Sequence, residues 1–311
     1  MPRPDFPKTI FEFNQWFPGE VACVQFLIQS RWPDGFVCPR CGYNQYFWQK
    51  TRNLLQCKQC AYQTSPTSGT VMHRTKIPLR VWFHAAYLVT TLTPGMSALQ
   101  FQRQVGLPNY ATAFNMLHKL RASMVRTGRS TLNGIVEVDE TYIGGKHPGK
   151  SGRGAEGKVI VVGAVDVHGK YANRVRLKVI PNVAGVTLVG FIRDNVLEGS
   201  TIHTDDWPGY SKLGISGYHH VVTEGELIHI HRVFSNLKTW LIGTHHGVSP
   251  QHLQAYLNEY TFRFNRRGTP MAGFQTVLGL AKGRLGPTYR GLYSVAKGET
   301  EWVHPSNPVM S

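Results

Sequence analysis

Acidic residues are scarce in this chain, and uninterrupted apolar runs are short. Asp and Glu number 18 against 34 Lys and Arg, which gives a formal charge of +16 and an isoelectric point near 9.8. Such a field draws a polyanion to the surface, and nucleic acid is the partner it suits best. An anionic membrane is a poorer fit, because no isolated stretch reads as a helix with one basic and one apolar face. The longest apolar runs, residues 81–92 and 159–165, fall short of the roughly 20 residues that cross a bilayer, and His84 interrupts the first. The opening MPRPDFPKTIFEFNQWF has no apolar core behind a basic start, so no secretory signal is expected. Cysteine is also sparse: there are five, and four fall into two closely spaced pairs unlike an extracellular disulfide framework. The expectation is a soluble, cytoplasmic, folded protein. Its 311 residues with 41% apolar content suit two or three units.

Residues 12–31 read as helical around Phe13, Phe17, Val21, Val24, Phe26, Leu27 and Ile28, with Pro18 breaking the pattern near its start. Cys23 lies inside that segment without a nearby Cys or His, as a small buried hydrophobe. Then comes Cys38-Pro-Arg-Cys41 and, after fifteen intervening residues, Cys57-Lys-Gln-Cys60. Two such knuckles bring four thiolates to one tetrahedral zinc ion. The segments between them, 44–50 and 53–56, suit the short strands of a zinc ribbon, which has too little core to fold without its ion. Zn²⁺ is therefore expected as a structural metal. Arg40, Lys50, Arg52 and Lys58 make this unit basic, which fits contact with DNA as well as with protein.

From Ile77 the period becomes helical, with Pro78 at a first helical position and Val81, Trp82, Ala85, Leu88 and Val89 recurring on one face. Ser97 followed by Gln100 predicts a capped short helix that Gly106 ends. A longer helix follows over 110–126, with Phe114, Leu117, Leu120 and Met124 inward and Thr112, Asn115, His118, Lys119 and Arg121 on the other side. Short helix, tight turn and longer helix is the order of a helix-turn-helix, and of many three-helix bundles.

A polar linker at 127–133 leads to GIVEVDETYIGG, where Ile135, Val136 and Val138 form a β-branched strand that Asp139 is expected to end. A carboxylate there needs a cation or several donors. The following loop, 144–158, is rich in Gly, Lys and Arg and reads either as a flexible connection or as a clamp on a DNA backbone. Strands are expected at 159–167 and 174–180, with Asp166 a structural residue at the hairpin end. A helix over 184–195 then precedes a strand, 199–204, which delivers Asp205 and Asp206 at its end. Strands interleaved with helices argue for an α/β unit whose strand ends converge on one edge. After a further strand at 218–222, His231, Ser235 and Lys238 share one stripe of a helix, while Ile230, Val233, Leu237 and Trp240 form the stripe that packs on the sheet. Glu224 and Glu226, just before that helix, are reserve carboxylates. Ser249 and Pro250 open a last packing helix with Arg263, Arg266 and Arg267 at its far end.

With CPRC, CKQC, VEVDETYIGG, HTDDWPGY, HRVFSNLKTWLIGTHHGVS and HLQAYLNEYTFRFNRR in view, the chain resembles bacterial insertion-sequence transposases of the DDE type that carry a zinc ribbon. The resemblance spans most of the chain. It implies an α/β, RNase H-like catalytic domain over 133–270, a ribbon over 36–70, and a helix-turn-helix-like domain over 75–127. A helical segment, 1–35, precedes them, and a tail, 271–311, carries no expected task. It implies DNA cleavage and strand transfer at the ends of a mobile element, with double-stranded DNA and a homo-oligomer as partners. Asp139 matches the first acid of the family, Asp205 the second, and Lys238 the helical lysine; seven residues before it, His231 stands where Glu is commoner and Asn or His is accepted. Two Mg²⁺ ions would act at Asp139, Asp205 and His231, with Mn²⁺ better matched to the imidazole. The rival readings are a DNA-binding regulator with an inert nuclease fold and a nuclease that cuts without joining.

Overall fold

The computed structural model describes residues 6–125, 129–144, 158–269 and 273–280. The chain divides into two compact units, one taking the described residues through Met124 and again from Thr269, the other those from Val125 to Gly268. The basic loop, 145–157, and the tail beyond 280 lie outside the described residues, and so do the readings attached to them.

In the first unit, helix α1 (Ile10–Trp16) starts where the Thr9 hydroxyl accepts the Glu12 N–H, and Pro18 with Gly19 separates it from α2 (Glu20–Arg31). Glu20 accepts the backbone N–H groups of Leu79 and Arg80 at 2.7 and 3.2 Å, and so caps α3 (Leu79–Thr91) from another element. Pro78 occupies the cap and not the first helical turn, which corrects the sequence expectation by one place. Ser97 accepts the Gln100 N–H and Gly106, at φ +67°, closes α4 (Ala98–Val105), as the capping pattern predicts. Helix α5 (Tyr110–Ser123) follows. His118 and Arg121, expected on its outer side, are both buried and cannot belong to a face that reads DNA. The tail also needs correction. Phe274, Val277 and Leu278 on and beside the four-residue α9 (Phe274–Val277) are fully buried, and Phe274 stacks on Phe17 and meets Phe13, Phe26 and Phe83 edge to face. A helix of one turn has no period to betray it in sequence.

The ribbon is a three-stranded antiparallel sheet, β1 (Tyr46–Gln49), β2 (Leu54–Cys57) and β3 (Gln63–Thr64), in that order. Its small core is Phe36, Cys38, Leu55 and Cys57, flanked by Trp32, Tyr46 and Trp48. With so few apolar side chains the cysteines themselves form part of the packing.

The second unit is a five-stranded sheet with helices on both faces. Strands β4 (Ile135–Ile143), β5 (Val159–His168) and β6 (Tyr171–Ile180) run as an antiparallel meander, while β7 (Thr201–Thr204) and β8 (His219–Val222) add in parallel to the other side of β4. The order β6-β5-β4-β7-β8 is that of an RNase H-like fold. Helix α6 (Gly185–Asn195) covers one face through Leu188, Phe191 and Ile192 against Val136, Val138 and Ile202. Helices α7 (Ile228–His245) and α8 (Pro250–Phe264) cover the other, through Ile230, Val233, Phe234, Leu253 and Leu257 against Val161, Val165, Val175 and Leu177. Edge strand β6 is protected: Gln254 and Asn265, of and just beyond α8, accept its Val179 and Val175 N–H groups at 2.9 and 2.8 Å. Buried Asp166 accepts from the Arg174 backbone N–H and side chain and from Asn173, which holds the β5–β6 hairpin and fits the structural role expected of it.

Candidate active site

Asp139 does not end its strand. Strand β4 continues four residues to Ile143, because β5 pairs with it along its whole length, Asp139 lying opposite Gly163. On its other side the partner stops: β7 ends at Thr204, and the registered parallel pairs stop at Glu137 with His203. Asp139 and Asp205 each follow that last pair by two residues, and the Asp205 charge is felt at Asp139. Alternation along β4 sends Val136 and Val138 toward α6 and Glu137 and Asp139 toward α7. Asp205 is half-buried, whereas Asp206 is exposed. The Trp207 N–H donates to Asp205 Oδ1 at 3.2 Å and fixes that carboxylate in the turn.

His231 comes from the first turns of α7, and its Nε2 lies 3.1 Å from Asp139 Oδ2. The imidazole is 45% exposed and the Asp139 side chain 16%, so the pair sits at the rim of the core with an open side. Ser235 and Lys238 continue the same exposed stripe, while Ile230, Val233 and Leu237 are buried. Glu224 and Glu226 are exposed in the loop before α7. Among the described residues, the four ribbon cysteines are the one group of three or more Cys, His, Asp or Glu whose donor atoms lie within 4.8 Å of one another, so the acid site is more open than that.

Burial pushes the Asp139 carboxyl above its ordinary value; the Glu140 N–H pulls it back, Asp205 adds to the rise, and His231 opposes it. Two carboxylates on one edge repel, and a divalent cation with oxygen preference would relieve both the burial and the repulsion. The donor set thus fits Mg²⁺ or Mn²⁺.

Three supporting residues were invisible in the sequence reading. Glu137, nearly buried, accepts the His229 and Ile230 N–H groups, each at 2.9 Å, and lies 2.7 Å from His229 Nδ1, which ties the first turn of α7 to β4. Gly163 lets α7 approach, since a Cβ there would stand 2.7 Å from Phe234 Cε1. On the opposite face, the buried Tyr210 hydroxyl donates to Glu140 Oε2 at 2.9 Å; burial and then the Glu140 charge raise its pKa. Each is a through-space contact that sequence spacing does not encode. His229 and His220, left without a metal role by sequence, do have partners: Glu137 for the first, the Thr204 hydroxyl at 2.8 Å for the second.

In the ribbon, Cys38 and Cys60 Sγ are 3.6 Å apart, as are Cys41 and Cys57 Sγ. Four sulfurs held about 2.3 Å from a tetrahedral zinc would be separated by about 3.8 Å, and these two distances, with all four sulfurs within 4.8 Å of one another, suit that ion.

The family described as ISXO2-like transposase domain matches residues 131–265, and the one described as transposase zinc-ribbon domain matches residues 18–63. A protein in transposable element ISH50 of Halobacterium salinarum is 26% identical over 285 residues, covering 79% of this chain and 91% of that one. A transposase-like protein of Haemophilus influenzae is 28% identical over 95 residues, or 28% of this chain and 77% of its own length. Among solved structures, the catalytic core domain of BIV integrase is 16% identical and spans 53% of this chain and 97% of its own, with a TM-score of 0.26. That superposition is too faint to add to the strand order already described. The chain belongs to the insertion-sequence transposases that join a zinc ribbon to an ISXO2-like transposase domain.

Proposed function

We infer that this protein binds the terminal inverted repeats of its own insertion sequence and carries out divalent-metal-dependent cleavage and strand transfer on double-stranded DNA. What supports the reading is that β4 and β7 pair in parallel up to Glu137 and His203, two residues before Asp139 and Asp205, while His231 reaches Asp139 from α7. Asp139, Asp205 and His231 would hold the ions. When bound, two such ions supply activation of the attacking hydroxyl and stabilisation of the leaving oxygen in an in-line displacement. The protein's part is positioning. Asp139 is held by the Glu140 N–H and by His231, and Asp205 by the Trp207 N–H, so both carboxylates are oriented before DNA arrives. Lys238, exposed on the same stripe as His231, would meet a phosphate as a point charge. The basic residues before 127 would hold duplex, and a homo-oligomer would bring two ends together.

The test is a joining assay with zinc-loaded protein, Mg²⁺ or Mn²⁺, and a linear duplex ending in the repeat that flanks the gene. Wild type should join; Asp139→Asn and Asp205→Asn should lose joining by at least about a hundredfold while still binding the repeat. Joining that survives either substitution would refute the assignment. Cleavage without joining would make the protein a nuclease, and repeat binding with neither reaction a regulator.

A further inference from the structure

The outer face of the ribbon sheet has a composition that packing does not explain. The period of two sends Tyr46, Trp48, Leu55 and Cys57 into the small core and leaves Phe47, Gln49, Leu54, Gln56 and Gln63 on the other side. Gln56 pairs directly with Phe47 on one neighbour and with Gln63 on the other. The amide nitrogens of Gln49 and Gln63 both donate to Gln56 Oε1, so three glutamines form a row across three strands. Cations bracket that row. Lys58 Nζ lies over the Phe47 ring at 5.1 Å, and Arg52 Nη1 lies 3.4 Å from Gln63 Oε1. Phe47 itself is 60% exposed, an aromatic ring left in water beside the glutamine row.

Charge identifies the occupant. Residues 35–136, which include the whole ribbon, contain twelve Lys and Arg and not one Asp or Glu. A protein partner would have to supply every negative charge; a duplex supplies one about every 1.7 Å. We propose that this face of the ribbon enters a groove of duplex DNA and reads base edges through Gln56 and its glutamine neighbours, with Lys58 and Arg52 on the flanking phosphates. The proposal rests on the reading that the protein binds the ends of its element, and it names the surface that does so. Three strands at the roughly 4.8 Å spacing of a sheet span about 10 Å of backbone, within the major groove's width of about 12 Å. Glutamine amides match adenine N6 and N7 there. The row occupies both lone pairs of the Gln56 carbonyl and fixes the side chain, which leaves the Gln56 amide N–H groups to donate to an acceptor such as purine N7 with less side-chain entropy lost on binding.

The experiment uses full-length, zinc-loaded protein and fluorescence anisotropy with two duplexes, the flanking inverted repeat and a scrambled sequence of the same composition, over a salt series. Gln56→Ala should cut the preference for the repeat about tenfold and leave affinity for the scrambled duplex unchanged. Lys58→Gln and Arg52→Gln should weaken both duplexes alike and each lower the salt slope by about one. Phe47→Ala should weaken both. Retained zinc stoichiometry in each variant confirms a folded ribbon, because these side chains lie outside its core. If wild type prefers the repeat and all four variants keep its affinity and preference, the face does not touch DNA and the proposal fails while the broader function stands. If those variants instead lose self-association in sedimentation, the face belongs to a second copy of the chain. If wild type shows no preference for the repeat, the proposal and the function both fail.

Discussion

Gly163 offers the sharpest test of how the site is held. It lies opposite Asp139 on β5, beneath the first turns of α7. An alanine Cβ would stand 2.7 Å from Phe234 Cε1 and 2.9 Å from Ile230 Cδ1. Carbon atoms in contact prefer about 3.5–4.0 Å, so α7 must retreat by roughly 1 Å or its side chains must leave their rotamers. Overpacking of this kind costs about 1–3 kcal/mol. The same retreat would stretch the 3.1 Å contact between His231 and Asp139 to about 4 Å, beyond hydrogen-bond reach. A displacement of about 1 Å at a reacting centre costs on the order of a hundredfold in rate. Gly163→Ala should therefore lower the unfolding free energy in urea by about 1–3 kcal/mol, in the presence of chelator, and reduce joining about a hundredfold. Phe234→Leu, which shortens the obstructing side chain, should recover part of both in the double variant. Wild-type joining in a destabilised Gly163→Ala protein would show that the helix does not position the chemistry. Unchanged stability and unchanged activity together would refute the overpacking argument.

Other substitutions separate structure from catalysis. Asp139 carries a raised pKa, so in metal-free protein the folded state takes up a proton more readily than the unfolded one; the stability this group removes is felt above the ordinary carboxylate value of 3.8 and fades as pH falls. Asp139→Asn should accordingly be as stable as wild type or more so at neutral pH, with the difference shrinking toward pH 3–4, as urea titrations at several pH values would measure. Glu137→Ala removes the cap on α7 and should cost about 1–2 kcal/mol, with Glu137→Asp retaining part of it; equal stability for all three proteins would sink the capping role. His231→Glu places the commoner carboxylate beside Asp139 and should keep or raise Mg²⁺-supported joining; complete loss would assign the imidazole a role of its own. Chelating zinc should expose four thiols to a thiol reagent. Cys23, fully buried and pushed up to about 12 chiefly by that burial, should react only when the unit unfolds.

Local chemistry was legible in the sequence wherever the relevant atoms are close along the chain. The paired cysteine knuckles, the Ser97 cap, the Gly106 stop and the polar stripe of His231, Ser235 and Lys238 all depend on separations of a few residues, and all appear in the structure as expected. Family motifs extended this to the α/β, RNase H-like fold. Tertiary structure decided the rest, because it depends on which distant backbones pair. The parallel register of β4 and β7, which ends at Glu137 with His203, brings the segments that carry Asp139 and Asp205 together across 66 residues of chain. Glu137 caps a helix 92 residues away, and Gly163 is left without a side chain so that the same helix can close in. Burial of His118, Arg121 and Phe274 likewise follows from neighbours that no local period encodes. Sequence named the carboxylates and the imidazole; sheet register and helix docking put them on one edge, since strand pairing and side-chain packing are set by contacts between segments and not within them.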